Sequence, residues 1–162
     1  MYVSDRLRTS ARLLALRGPL IIATAVVVVD QLTKHWALNT LDGNRVIDVV
    51  GSLRFNLAFN KGMAFSQGEG VGRLVPILAV TVVAALLMTV GRSSSRWFTL
   101  GVGLVIGGSL SNVVDRLFRG GGWLDGAVVD FIDVQWWPVF NLADTAIVVG
   151  AGLLLLTSLR AT

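Results

Sequence analysis

The chain has 162 residues, of which 54% are hydrophobic and 15% charged, and its formal net charge is +4. This composition is too apolar for an ordinary soluble domain, and the length suffices for one domain with about four spans of roughly 20 residues each. The chain has no cysteine, which excludes disulfides and thiolate sites, and its single histidine, His35, argues against a Ser-His-Asp triad or a histidine zinc site.

The positive charges lie at the ends of apolar segments, which is typical of membrane topology rather than of nucleic-acid binding. Four arginines and one acid occupy the first 17 residues: Arg6, Arg8, Arg12, Arg17 and Asp5. We interpret this segment as a cytoplasmic tail. A cleaved signal peptide is the alternative, but too few apolar residues precede the small-residue site at Ala23.

The first predicted span covers residues 19–38 and carries Asp30 and Lys34 towards its outer end. These two residues are four apart on one helix face and can pair. Two interpretations stay open: a structural ion pair with a snorkelling lysine, or a supporting role in a site. We interpret His35, beside Trp36, as an interfacial residue rather than a catalyst.

Residues 42–72 form the longest polar interval and are predicted to lie outside. Apolar and polar residues alternate over 53–59, which predicts a strand, with 46–50 as its partner and a turn at Gly51-Ser52. Asn60 and Gly62 follow the strand. We interpret them as part of a loop, and a binding role is the less favoured alternative.

The second predicted span, 74–90, is uncharged and serves as scaffold, and the hinge 91–96 is predicted to be cytoplasmic. The third covers 97–115, where Gly103 and Gly107 allow close helix approach. Gly108, Asn112 and Asp115 share one face, with Arg116 beside them. A purely structural polar network and a functional one are both compatible with this pattern.

The fourth predicted span covers 138–159, with Pro138 in its first turn, after a glycine-rich outer loop at 119–126. Asn141 and Asp144 share a face of this helix, and Asp130 lies in a short apolar segment before it. An ionisable residue in a membrane segment is a functional hypothesis by default. Asp130 and Asp144 are therefore our candidates for a pair of carboxylates at the membrane surface.

Two close carboxylates can hydrolyse a peptide bond when one is ionised, to activate water, and the other protonated, to supply the leaving amine. A non-enzymatic proton or cation carrier using Asp30, Asp130 and Asp144 is an alternative, as is a structural subunit whose acids bind a partner. The acids gather at the outer end instead of forming a path across the bilayer, which favours the peptidase. Asp115, with polar neighbours, is predicted to be architectural.

Five motifs, in chain order, resemble those of the bacterial lipoprotein signal peptidases, the type II signal peptidases. They are Asp30-Gln31-Leu32-Thr33-Lys34, Asn60-x-Gly62-x-Ala64-Phe65-Ser66, Gly107-Gly108-x-x-x-Asn112-x-x-Asp115-Arg116, Val128-Val129-Asp130-Phe131 and Phe140-Asn141-Leu142-Ala143-Asp144. The resemblance implies an aspartic endopeptidase of the bacterial inner membrane. It would cut diacylglyceryl-modified prolipoproteins before the lipidated cysteine and so free the signal peptide.

The resemblance also implies a catalytic dyad at Asp130 and Asp144. It implies supporting or substrate-binding roles for ten further residues: Asp30, Lys34, Asn60, Gly62, Gly108, Asn112, Asp115, Arg116, Asn141 and Ala143. We expect an all-α polytopic membrane protein with four transmembrane helices and a small extracytoplasmic β-sheet, a β-cradle, between helices one and two.

Residues 1–162 are expected to form a single integral-membrane peptidase domain, monomeric and with both termini cytoplasmic. The active site is expected near the outer surface. The expected partners are lipid-modified prolipoproteins and membrane lipid, without nucleic acid, metal or other cofactor.

Overall fold

The computed structural model describes residues 2–62, 71–91 and 95–160, without the side chains of 2–13 and 71–73. The described residues form four helices and three strands: α1 (Tyr2–Thr40), β1 (Val46–Val50), β2 (Leu53–Asn60), α2 (Val71–Thr89), α3 (Arg96–Phe118), β3 (Val128–Asp133) and α4 (Leu142–Leu159). Several residues or side chains named above lie outside this description: Asp5, Arg6, Arg8, Arg12, Ala64, Phe65 and Ser66.

Three of the four described helices are long and apolar enough to cross a membrane. They are Leu14–Thr40 within α1, the whole of α3 and the whole of α4, whereas Leu74–Thr89 of α2 is a shorter apolar helix. The chain is therefore a multi-pass membrane protein. Each of the four predicted spans contains a helix, and three of these helices are long and apolar enough to cross a membrane.

Helix α3 is the centre of the bundle, because its glycines let two other helices approach closely. A Cβ atom added to Gly107 would lie 2.7 Å from Val26 of α1, and Gly103 packs against the same helix. Gly108 faces α4, where an added Cβ would meet the carbonyl oxygen of Ala143. The predicted close approach at Gly103 and Gly107 is confirmed.

The three strands form an antiparallel sheet in the order β1-β2-β3. The predicted hairpin of β1 and β2 is confirmed, but the expected sheet is incomplete, because β3 comes from the segment between α3 and α4. Aromatic side chains join this sheet to the end of α1. The ring centroids of Trp36 and Phe55 are 5.2 Å apart, and those of Trp36 and Phe131 are 6.1 Å apart.

The predicted start of the fourth helix at Pro138 is wrong, because α4 begins at Leu142. Phe140 exchanges backbone hydrogen bonds with Ile132 of β3, which holds it in an extended conformation. Asn141 then caps the helix: its side-chain oxygen accepts from the Asp144 backbone N–H at 2.9 Å. Asp144 accepts in return from the Asn141 backbone N–H at 3.2 Å, completing a capping box.

Candidate active site

Strand β3 places Asp130 in the interior between the sheet and the helices, where it is 2% exposed. The register sets the small residue Ala58 opposite it. Burial, followed by the negative charge of Asp144, raises the pKa of Asp130 to about 7. A neutral carboxyl that can give up a proton is therefore present near neutral pH.

Asp144 is the third residue of α4 and performs two tasks at once. One carboxylate oxygen accepts from the Asn141 backbone N–H in the capping box, and the other accepts from Nδ2 of Asn112 at 2.8 Å. The positive end of the helix dipole favours a negative charge at this position. Unlike Asp130, Asp144 is only half-buried, so it lies at the accessible side of the pair.

Two asparagine side chains connect the two carboxylates. Nδ2 of Asn141 donates to Oδ1 of Asp130 at 2.6 Å and to Oδ1 of Asn112 at 3.2 Å. Asn112 in turn donates to Asp144. The acids predicted as a pair are thus joined by a continuous chain of hydrogen bonds that uses three elements, α3, β3 and the start of α4.

Lys34 determines which atom of Asn112 donates and which accepts in this series of hydrogen bonds. Its ammonium group is fully buried, 2.8 Å from Asp30, 2.9 Å from Asp115 and 2.9 Å from Oδ1 of Asn112. Because an ammonium group can only donate, Oδ1 of Asn112 must face Lys34 and its Nδ2 must face Asp144. The snorkelling interpretation of Lys34 is wrong, since Lys34 and Asp30 are both 0% exposed.

Asp30 and Asp115, the two acids beside Lys34, hold the segments that carry the candidate dyad. Asp30 accepts from the Ala143 backbone N–H at 2.8 Å, so α1 caps the first turn of α4. Asp115 accepts from the Val129 backbone N–H at 3.1 Å, so α3 fixes β3 one residue before Asp130. Each acid thereby positions one member of the pair.

Arg116 lies next to Asp115 in the sequence, but Asp115 forms its ion pair with a different arginine. Arg116 donates to the backbone oxygen of Gly126 at 3.2 Å, whereas Arg119 pairs with Asp115 at 2.8 Å. Neighbours in sequence point to different sides of a helix, and residues four apart share one. The spacing of four residues between Asp115 and Arg119 is therefore the sequence signal that identifies the true partner.

Ser111 and Gln31 also belong to the network, and neither was predicted. Ser111 donates to Asp30 at 2.7 Å, and Gln31 donates to Asp115 at 3.0 Å. Gln31 lies inside the first of the five motifs, but its spacing gives no separate indication of a role. Within the described part of the chain, every buried side-chain nitrogen and oxygen has a hydrogen-bond partner.

Asn60 and Gly62 lie at the end of β2, on the rim of the site. The Gly62 backbone N–H donates to Oδ1 of Asn60 at 2.8 Å, and Gly62 has a φ of 80°, which glycine adopts at little cost. The Asn60 side chain faces Asp130 and favours its ionised form. The loop interpretation is wrong for Asn60, which is the last residue of β2 and pairs with Val128 of β3, and this pairing brings Asn60 to the candidate dyad.

The arrangement is that of a carboxyl pair with unequal environments. Asp130 is buried and has a raised pKa, whereas Asp144 is half-buried and accepts two hydrogen bonds. Such a pair can take a proton from water at one acid and supply a proton at the other. Among the described residues, no group of three His, Cys, Asp or Glu side chains could hold a metal ion.

Comparisons with known proteins agree with this architecture. Residues 22–160 match the family model described as Signal peptidase (SPase) II. The lipoprotein signal peptidase of Rhodococcus jostii (strain RHA1) is 44% identical over 141 residues, which cover 86% of this chain and 71% of the relative. That of Mycobacterium tuberculosis (strain ATCC 25618 / H37Rv) is 39% identical over 145 residues, covering 89% and 72%.

Solved structures of bacterial membrane enzymes are similar in fold. One, determined by the in meso method at 1.9 Å resolution, superposes with a TM-score of 0.76 and 26% identity over 89% of this chain and 94% of the other. A second, at 2.3 Å resolution, gives a TM-score of 0.75 over 88% of this chain and 87% of the other.

Proposed function

The chain belongs to the signal peptidase II family, and from this premise we propose that Asp130 and Asp144 perform its peptide hydrolysis. Its activity is that of a lipoprotein signal peptidase, a membrane protease that removes signal peptides from prolipoproteins. The single observation that supports the dyad is the hydrogen-bonded chain between the two acids through Asn141 and Asn112. The carrier alternative has no comparable support.

In the proposed reaction, ionised Asp144 accepts a proton from a water molecule whose oxygen attacks the scissile carbonyl carbon. Asp130, protonated at rest, donates a hydrogen bond to the carbonyl oxygen and then its proton to the leaving nitrogen as the C–N bond breaks. The leaving nitrogen is the amine of the lipidated cysteine. Asn112 donates a hydrogen bond to Asp144, and Asn141 donates one to Asp130. The two asparagines therefore hold both carboxyl groups in one site while giving each a different environment.

The test is cleavage by purified protein in detergent micelles. The probe is a synthetic precursor peptide whose cysteine carries a diacylglyceryl thioether, and the control is the same peptide with an unmodified cysteine. We expect a cut immediately before the lipidated cysteine and none in the control. A cut at another bond, or equal cutting of both peptides, would contradict the proposed specificity.

We also propose that the sheet and the dyad lie at the outer surface of the bacterial inner membrane, with both termini cytoplasmic and α2 as the fourth span. In support, arginines occur at the bundle end opposite the sheet, at Arg17, Arg96 and Arg160. A monomer suffices for the chemistry, because both acids and their supporting residues come from one chain.

A further inference from the structure

An apolar groove of about 460 Å³ ends at the carboxyl group of Asp144. One wall is the turn after β3, with Trp136, Trp137 and Phe140, and the floor is the surface of α4, with Val148 and Val149. Ligand sites commonly have volumes of about 300–1,000 Å³, so the groove is large enough to hold a small molecule or part of a larger one. The hydrogen-bond network that supports Asp144 uses none of these five residues.

The groove follows α4 away from the dyad towards the membrane. Asp144 and Val148 are four apart on one face of α4, with Thr145 and Val149 beside them, so the lining residues form a broad stripe about 7.5 Å long at 1.5 Å per residue. Val148 is 71% exposed and Val149 is 49% exposed. On a helix that crosses a bilayer, such a stripe faces lipid, so the groove is open to the membrane along its length.

We propose that this groove holds an acyl chain of the diacylglyceryl group on the substrate's cysteine. The inference rests on the proposed function, which places that cysteine beside the scissile bond and therefore beside Asp144. An acyl chain lying in the groove along α4 would leave the lipidated cysteine at the Asp144 end of the groove. Occupancy of the groove then fixes the position of the bond to be cut.

The chemistry of the walls favours a hydrocarbon over a peptide backbone. Peptide N–H and C=O groups need hydrogen-bond partners when they leave water, whereas an acyl chain needs none. Apart from the indole N–H groups of Trp136 and Trp137, the side-chain polar groups of the groove are those of Asp144 and Thr145, and the Thr145 hydroxyl already donates to the backbone oxygen of Asn141. Its tryptophan and valine surfaces provide close packing along the chain.

The tryptophan wall is braced before any substrate arrives. Gln135, directly before Trp136, has a φ of 70°, and its backbone N–H donates to Asp133 at 2.7 Å. Its side chain donates to the backbone oxygen of Ser52 at 3.0 Å, and Asp133 is also paired with Arg54 at 2.8 Å. A wall held in place in this way loses little conformational freedom on binding.

The experiment compares two precursor peptides whose cysteine carries either a dipalmitoylglyceryl or a dibutyrylglyceryl group, in the same detergent. The quantity measured is the ratio of kcat/KM for the long-chain to that for the short-chain precursor. Val148→Phe places a ring in the groove, and Leu155→Phe is the matched control, because Leu155 is 61% exposed on α4 but outside the groove. Trp137→Ala provides a second test by removing the wall, should Val148→Phe fail to fold.

We expect Val148→Phe to lower this ratio by on the order of tenfold, since misplacing the reacting bond by about 1 Å can cost up to 10²-fold. Trp137→Ala should lower it as well, and Leu155→Phe should leave it at the wild-type value. Unchanged kcat/KM values for both precursors in folded Val148→Phe would overturn the proposal and show that the groove does not bind the precursor. An equal loss for both precursors would overturn it in favour of a peptide occupant. Failure of the wild-type protein to cleave either precursor would instead overturn the proposed function.

Discussion

Asn112 shows how a neutral side chain can organise charged ones. Its oxygen accepts from Lys34 and its nitrogen donates to Asp144, so a cation that does not contact either candidate catalytic acid determines which group is presented to one of them. Asn141 repeats the arrangement at Asp130. The roles of the aspartates therefore differ by what surrounds them, and substitutions should separate these roles.

Replacing Asp130 or Asp144 by Asn should abolish cleavage and leave folded protein, because Asn is nearly isosteric and removes the acid-base function; at Asp144 it also replaces one of the two oxygens that accept hydrogen bonds. Asp115→Asn is the matched comparison. It should reduce stability, by about 3–5 kcal/mol if the partners are left uncompensated, and retain activity per folded molecule. The measurement is cleavage normalised to folded protein. Near-normal turnover in Asp130→Asn, with none in folded Asp115→Asn, would reverse the assignment.

Activity should fall as the pH rises above about 7, because Asp130, whose pKa is raised to about 7 by burial and by Asp144, loses the proton that the reaction needs. Stability should also fall as the pH rises, but over the lower range from about pH 4 to pH 7. The raised pKa means that folded protein binds more protons than unfolded protein between about pH 4 and pH 7, so stability decreases as the pH rises through this window. Thermal unfolding at pH 5 and pH 8 measures this.

Asp130→Asn is the control for that pH dependence, since it removes the titrating group and should reduce the difference between the two unfolding temperatures. A wild-type protein that is more stable at pH 8 than at pH 5, with Asp130→Asn behaving identically, would show that Asp130 does not titrate in this way.

At the level of elements, the local patterns predicted well and the long-range pairings did not. Alternation predicted β1 and β2, and the spacing of Gly103 and Gly107 predicted a helix contact. The third strand could not be assigned to this sheet, because its partner lies far away in sequence. The start of α4 was misplaced because Pro138 is a common first-turn residue, whereas the capping box at Asn141 and the bridge at Phe140 determine the boundary.

The same limit applies to the site. Asp30, Lys34, Asn112 and Asp144 were found by their type, spacing and resemblance, but Lys34 contacts residues on two helices at once. A buried ammonium group surrounded by acids is favourable only when the helices are packed, so helix periodicity alone leaves snorkelling as a reasonable alternative.

Gly108→Ala tests the contact between α3 and α4. Its Cβ would meet the Ala143 carbonyl oxygen and lie 2.8 Å from Ile147, so we expect a loss of about 1–3 kcal/mol in stability and a loss of activity. Gly152→Ala is the control, because nothing lies within 4 Å of its added Cβ. Helix propensity should make that variant neutral or more stable by up to about 1 kcal/mol. Equal effects of the two would contradict close packing at Gly108.

For the whole molecule, four spans predict which segments share a side of the membrane. Reporter fusions at Gly43 and Gly121, both at the sheet end, should report the outer side, and a fusion at Gly91 should report the cytoplasm. Gly91 lies two residues after the end of α2, so a fusion there also tests whether this shorter apolar helix crosses. A Gly91 fusion on the same side as Gly43 would remove α2 from the set of spans.

Two of the ion pairs have a consequence for biosynthesis, because their members are four residues apart in the sequence. They are Asp30 with Lys34 on α1, and Asp115 of α3 with Arg119 at the C-terminal cap of that helix. During synthesis α1 enters the bilayer long before α3 exists. Because each acid has a counter-ion four residues away in the sequence, each of these acids can enter the bilayer as part of a neutral pair. When α3 arrives, Lys34 adds Asp115 as a second partner, so neither Asp30 nor Asp115 has to face lipid as an uncompensated charge before the cluster is assembled.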